Sequence, residues 1–173
     1  MSTEISKAQD EVSAGLITNR ASTEGVGAGG VFTVTCTGPD GVEKWSDSFH
    51  NLVVNEGLKD MNGKYFKGSG YTAAWYLGLV DGATVPSYDA GDTLASHAGW
   101  DENSSYVGTR KAITFGAATL ADPSNIHNAS STASFSMNAT ANIAGAFVCN
   151  VTSGTTGLLF SAADFQSPGD RSV

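Results

Sequence analysis

The first clear pattern along the chain is an alternation. In VFTVTCT, residues 31 to 37, Phe32, Val34 and Cys36 point one way and the three threonines the other. That period of two is the mark of a strand with one buried face. TGPDG follows as a turn, with Pro39 presetting φ and Gly41 free to take a positive φ. VEKWSDSF resumes the strand pattern around Trp45, so the two runs predict a β-hairpin. The period then changes. Leu58, Met61 and Tyr65 recur at helical spacing, and Asn55 is a candidate N-cap with Glu56 in the first turn. These predict one short helix, about 55 to 66, despite Gly57 and Gly63.

AAWYLGLV returns to strand, with Trp75, Leu77 and Leu79 on one face. Tyr76, Gly78 and Val80 on the other predict burial on both sides. Residues 81 to 104 have no period, and so long a loop in a compact domain usually carries function or an interface. RKAITFGAATL predicts a strand over about 110 to 118. TASFSMNAT predicts another, with Ala133, Phe135 and Met137 inward. IAGAFVCNV, small and apolar on both faces, reads as a central strand, and GLLFSAA as one more. Seven strands and one helix, with no strand–helix alternation, predict an all-β fold: an antiparallel β-sandwich or jelly-roll-like domain. The single β domain spans 31 to 173. Residues 1 to 30, polar and then glycine-rich, predict an extended arm that is flexible or ordered by a partner. SPGDRSV stops after a turn signal where a further strand is expected, so the closing strand is either truncated or supplied by a neighbour.

Composition narrows the function. Only 15% of residues are charged and 21 are glycine, which suits turns and close-packed strands better than exposed helices. The net charge of −8 argues against binding a phosphate backbone. The tightest basic group, Lys59, Lys64 and Lys67, has acids beside it. No apolar run reaches transmembrane length, and MSTEISKAQDEVSAG lacks an apolar signal core, so a protein made and kept in a cytoplasm, or assembled there, is expected. Cys36 and Cys149 then read as buried thiols rather than a disulfide.

Candidate chemistry concentrates in DTLASHAGWDE, residues 92 to 102. Ser96 and His97 are adjacent, which a catalytic triad does not favour, and no nucleophile elbow is present. Asp92, His97 and Asp101 could ligate a divalent metal, but they lack the spacing of a helix or hairpin site. A structural loop is the better reading: Asp92 caps a turn, Leu94 tucks in, and Trp100 anchors the loop to the domain or to a neighbour. Asp92, Leu94, His97 and Trp100 are therefore interface candidates. Gly25, Gly27 and Gly30 match G-x-G-x-x-G, but they open a strand rather than a helix, so they join the interface candidates and not a cofactor site. Arg110 and Lys111 beside Asp101 and Glu102 predict a surface ion pair of little value. Trp45, Trp75 and Trp100 read as core or interface anchors rather than a sugar-stacking platform, with a shallow carbohydrate site as the alternative. No residue set points to catalysis, a cofactor or a resident metal.

FHNLVVNEGLKD, KYFKGSGYTAAWYLGLV, DTLASHAGW and SFSMNATANIAGAFVCN followed by GTTGLLFSAADF occur in an order that resembles a family of small virion structural proteins of tailed bacteriophages. The resemblance covers roughly residues 31 to 165. Similar chains continue beyond the RSV into one more strand. The resemblance implies no catalytic residues. It implies a virion location and a capsid decoration, or cement, protein that binds across subunits of the major capsid protein or other virion proteins. A small homo-oligomer, a dimer or trimer, is expected, with no nucleic-acid or membrane partner. A tail-associated adaptor, tube or fibre protein is the alternative, and a carbohydrate-binding host-attachment module the second.

Overall fold

In the computed structural model, residues 28–71, 74–120, 124–165 and 171–173 are described. The expected arm, with Gly25 and Gly27, lies outside them except for residues 28 to 30. The described chain is mostly β: two antiparallel sheets and one short helix.

The predicted hairpin is the smaller sheet. β1 (Val31–Thr37) pairs with β2 (Glu43–His50), running from Val31 opposite His50 to Thr37 opposite Glu43. The turn closes as its residues dictate: Gly41 sits at φ 77°, its N–H reaches the Gly38 carbonyl, and Asp40 accepts from the Val42 N–H.

The larger sheet runs, from edge to edge, Leu52–Val53, Leu159–Asp164, Asn142–Cys149, Tyr76–Asp81 and Glu102–Asn103. β3 (Leu52–Val53) leads into α1 (Asn55–Tyr65), and β4 is Tyr76–Asp81. β5 (Glu102–Asn103) and β6 (Lys111–Ala112) pair with successive parts of β4. β7 (Asn142–Cys149) is the central strand its small apolar residues predicted, flanked by β4 and by β8 (Leu159–Asp164). Both faces of this sheet are buried. Tyr76 and Val80 on β4, Phe147 and Cys149 on β7 and Ala162 on β8 form one core with Val54, Leu94 and Trp100. Leu77, Leu79, Ala146 and Ala163 form the other, covered by Phe32, Val34, Trp45 and Phe49 of the hairpin. Gly78 leaves the space that the Phe147 ring occupies: a Cβ there would lie 2.3 Å from Phe147 Cζ.

Several expectations need correction. The helix forms, but its N-cap is Val54, without a side-chain cap bond. The Asn55 N–H donates instead to the Ala90 carbonyl, and the Glu56 carboxylate accepts from the Leu159 N–H at 2.8 Å. Gly57, not the Leu58–Met61–Tyr65 row, is the buried helical residue. It lies so close to the Phe160 backbone that a Cβ would come within 2.5 Å of the Phe160 carbonyl oxygen, while Tyr65 turns out to solvent. Over 110 to 118 only Lys111–Ala112 is strand. Beyond it the chain bonds to its own loop, Gly116 to His127 and Thr119 to Asn125, because its side chains are mostly too small and exposed to hold a sheet position. TASFSMNAT forms no ladder beyond a single bridge, Tyr106 with Met137. Its alternation is real as burial, since Phe135 and Met137 pack against the second core, but it records facing and not pairing. At the C-terminus, β9 (Arg171–Ser172) pairs with Asn142 and Ile143 of β7, so RSV itself supplies a strand beyond β8.

Candidate interaction surface

The loop between β4 and β5 is held from inside. Asp92 Oδ2 accepts from the Asp89 N–H and from the Trp100 indole N–H, both at 3.1 Å. The His97 ring stacks on Trp100 with centroids 3.9 Å apart and planes 20° apart. Its Nδ1 lies 2.9 Å from the Trp100 carbonyl oxygen, which fixes Nδ1 as the donor. Leu94 and Trp100 are buried in the first core, Trp100 against Phe147 and Tyr88. The loop enters this tight course at Gly99, where a Cβ would lie 2.1 Å from the Ser87 carbonyl oxygen. DTLASHAGW is thus a plug over one face of the sheet. Leu94 and Trp100 are occupied by their own domain, and Asp92 and His97 are bonded to Trp100. Gly30 is also buried, its carbonyl accepting from the Asn51 N–H. Among the described residues no group of three His, Cys, Asp or Glu could hold a metal ion.

The expected surface ion pair of Arg110 is a buried one. The Arg110 side chain is 3% exposed. It donates to both oxygens of Glu102, Nε to Oε1 at 2.8 Å and Nη2 to Oε2 at 2.6 Å. Nη1 reaches the Val151 carbonyl at 3.3 Å and Cys149 Sγ at 3.5 Å, and the guanidinium lies over the Phe147 ring. Tyr106 donates to Glu102 Oε1. This fork ties β5 and β6 to the end of β7. Burial and the adjacent Glu102 carboxylate push the Tyr106 hydroxyl far above its ordinary range. Burial lowers the Arg110 pKa, but bonding to Glu102 and proximity to Cys149 outweigh it and the net shift is upward. Burial raises Cys149 above the ordinary thiol value, with bonding to Val151 and Arg110 opposing it. A buried thiol held protonated is a poor nucleophile. Cys36 is half-buried on β1, and the two cysteines form no disulfide.

The tryptophans do not meet. Trp45 lies edge-on to Phe165 in the second core, Trp100 sits in the first, and Trp75 packs on Phe160. The sequence reasoning missed a different aromatic group. Tyr65 and Phe66 at the end of α1 are 83% and 69% exposed and contact each other edge-to-face at 5.0 Å. Tyr71, 61% exposed, accepts from the Trp75 indole N–H. Beside them a shallow cleft of about 410 Å³ is lined by Lys59, Lys64, Lys67, Glu56 and Asp60. Lys64 holds the segment in place by donating to the Gly70 carbonyl and lying 3.8 Å from Asp60. The signal was present in KYFKGSGYTAAWY: five aromatics and two lysines in thirteen residues around glycines. Aromatic residues are enriched at protein interfaces relative to the rest of the surface.

No helix among the described residues is long and apolar enough to cross a membrane. No family model, no curated protein and no solved structure matches the chain.

Proposed function

We propose that this chain is a bacteriophage virion structural protein, a capsid decoration protein that binds across subunits of an assembled head. In this reading the hairpin and the larger sheet are the two layers of a β-sandwich, and the domain is a rigid carrier for a binding face. The observation that carries the proposal is the exposed Tyr65–Phe66 pair, which lies in the chain between Lys64 and Lys67 of the cleft, with Tyr71 exposed further along the same segment. Burying such rings against a lattice, with lysines meeting carboxylates at the rim, favours the assembled state, because ligand that binds only the lattice stabilises it by mass action. Three of the nine basic residues lie in this one cleft of a chain with net charge −8, which suits a partner surface with exposed acids. The sequence resemblance to tailed-phage virion proteins points the same way. Purified protein is expected to cosediment with mature heads that lack it. Tyr65→Ser/Phe66→Ser is expected to reduce that binding at least tenfold without changing the circular dichroism spectrum. Equal binding by the variant, or none by the wild type, contradicts the proposal.

A further inference from the structure

Among the described residues, one long strand edge lacks the usual guards. The outer strands of the larger sheet, β3, β5 and β6, are two residues long. β2 carries Glu43, Lys44, Asp47 and His50. Short edges and charged edges are the usual defences against pairing with another chain. The outer edge of β1 has neither. It is seven residues long, pairs only with β2 among the described residues, and contains no charge and no proline. Its inward residues Phe32 and Val34 remain partly exposed although they pack against a core, Cys36 is also partly exposed, and Thr33, Thr35 and Thr37 are exposed.

We propose that the outer edge of β1 pairs with β1 of a second copy of this chain, antiparallel about a two-fold axis at Val34. The sequence VFTVTCT is self-complementary in this register. Val34 meets Val34, Phe32 meets Cys36, and Thr33 meets Thr35 twice, so apolar residues stay on the core face and threonines on the solvent face. Antiparallel pairing gives partners to the outward N–H and C=O groups of the edge, which have none among the described residues, completes the burial of Phe32 and Cys36, and produces a continuous four-stranded β2–β1–β1–β2 sheet. An interface that uses the same patch on both copies closes as a dimer and goes no further. An uncharged, β-branched edge selects such a copy over a charged strand, which would find no counter-charge here.

The test is the molar mass of the full chain in solution, by sedimentation across a range of concentrations. The wild type is expected at twice the 17.7 kDa chain mass. Thr33→Lys/Thr35→Lys places like charges opposite one another across the axis, at side chains that are exposed in the single chain. It is expected to weaken the dimer at least about tenfold while the circular dichroism spectrum is unchanged. Val34→Cys in a Cys36→Ser background is expected to give a disulfide-linked dimer under mild oxidation, since directly opposed Cβ atoms are close enough to bridge. A monomeric wild type overturns the proposal, including the case in which removing residues 1 to 27 releases a dimer and so shows the chain covering its own edge. A dimer that survives the double lysine variant also overturns it, and failure to cross-link contradicts the axis at Val34. None of these results bears on the head-binding proposal, which rests on the Tyr65 face.

Discussion

Replacing Glu102 by Ala should cost far more stability than replacing its partner Arg110 by Met. The Arg110 side chain is 3% exposed and Glu102 28% exposed. Removing the acid leaves a guanidinium buried against Phe147 and Cys149 with only the Val151 carbonyl and a sulfur as acceptors. Loss of one partner from a buried pair costs about 3–5 kcal/mol, and the partial exposure of Glu102 places this case near about 3 kcal/mol. Removing the base is milder. Glu102 can turn its carboxylate toward water, Val151 keeps the Cys149 thiol as a donor at 3.3 Å, and methionine refills the volume over Phe147. That variant should lose about 1–2 kcal/mol. The double variant should be more stable than Glu102→Ala alone, because it no longer buries an unpaired charge. Urea unfolding followed by far-ultraviolet circular dichroism gives all four corners of the cycle, and about 3 kcal/mol corresponds to a fall of roughly 6–12 °C in Tm for a chain of this size. If Arg110→Met cost as much as Glu102→Ala, or if Glu102→Ala cost under about 1 kcal/mol, the fork would be a surface pair and the reasoning would fail.

Other outcomes follow from the same packing. Gly57→Ala should lower Tm although helix propensity alone favours alanine by about 1 kcal/mol, because the new Cβ meets the Phe160 carbonyl at 2.5 Å; a raised Tm would contradict the close approach. Trp100→Ala should destabilise by about 3–5 kcal/mol through loss of the plug over Phe147, read by chemical denaturation. A thiol reagent at neutral pH should modify Cys149 only on unfolding, counted as thiols released per chain. Because the Tyr106 pKa is raised on folding, its contribution is complete below the ordinary tyrosine value and is lost as pH rises above it. Stability should therefore fall on the alkaline side, and Tyr106→Phe should flatten that fall.

The hairpin, the helix, β4, β7 and β8 were legible because each has its own period or composition. β7 reads as central since Ala144, Gly145 and Ala146 leave room for neighbours on both faces. TASFSMNAT was legible in facing and illegible in pairing, because alternation records which side chains are buried and not whether a strand lies alongside. The role of Asp92 and Trp100 in pinning their loop was readable from residue type. The Arg110 fork was not, because adjacency to acids in sequence carries no information on burial. Its depth depends on Phe147 and Cys149, some forty residues away. The exposure of Tyr65 was hidden by the opposite cause: its spacing fits a buried helical row, but Gly57 brings the helix down on a different side.

The proposal that this chain is part of a phage head is tested most directly by immunogold electron microscopy of intact phage particles, with antibody raised against the purified chain. Label distributed over the heads is the predicted result. Label confined to the tail, or particles without label, would contradict it.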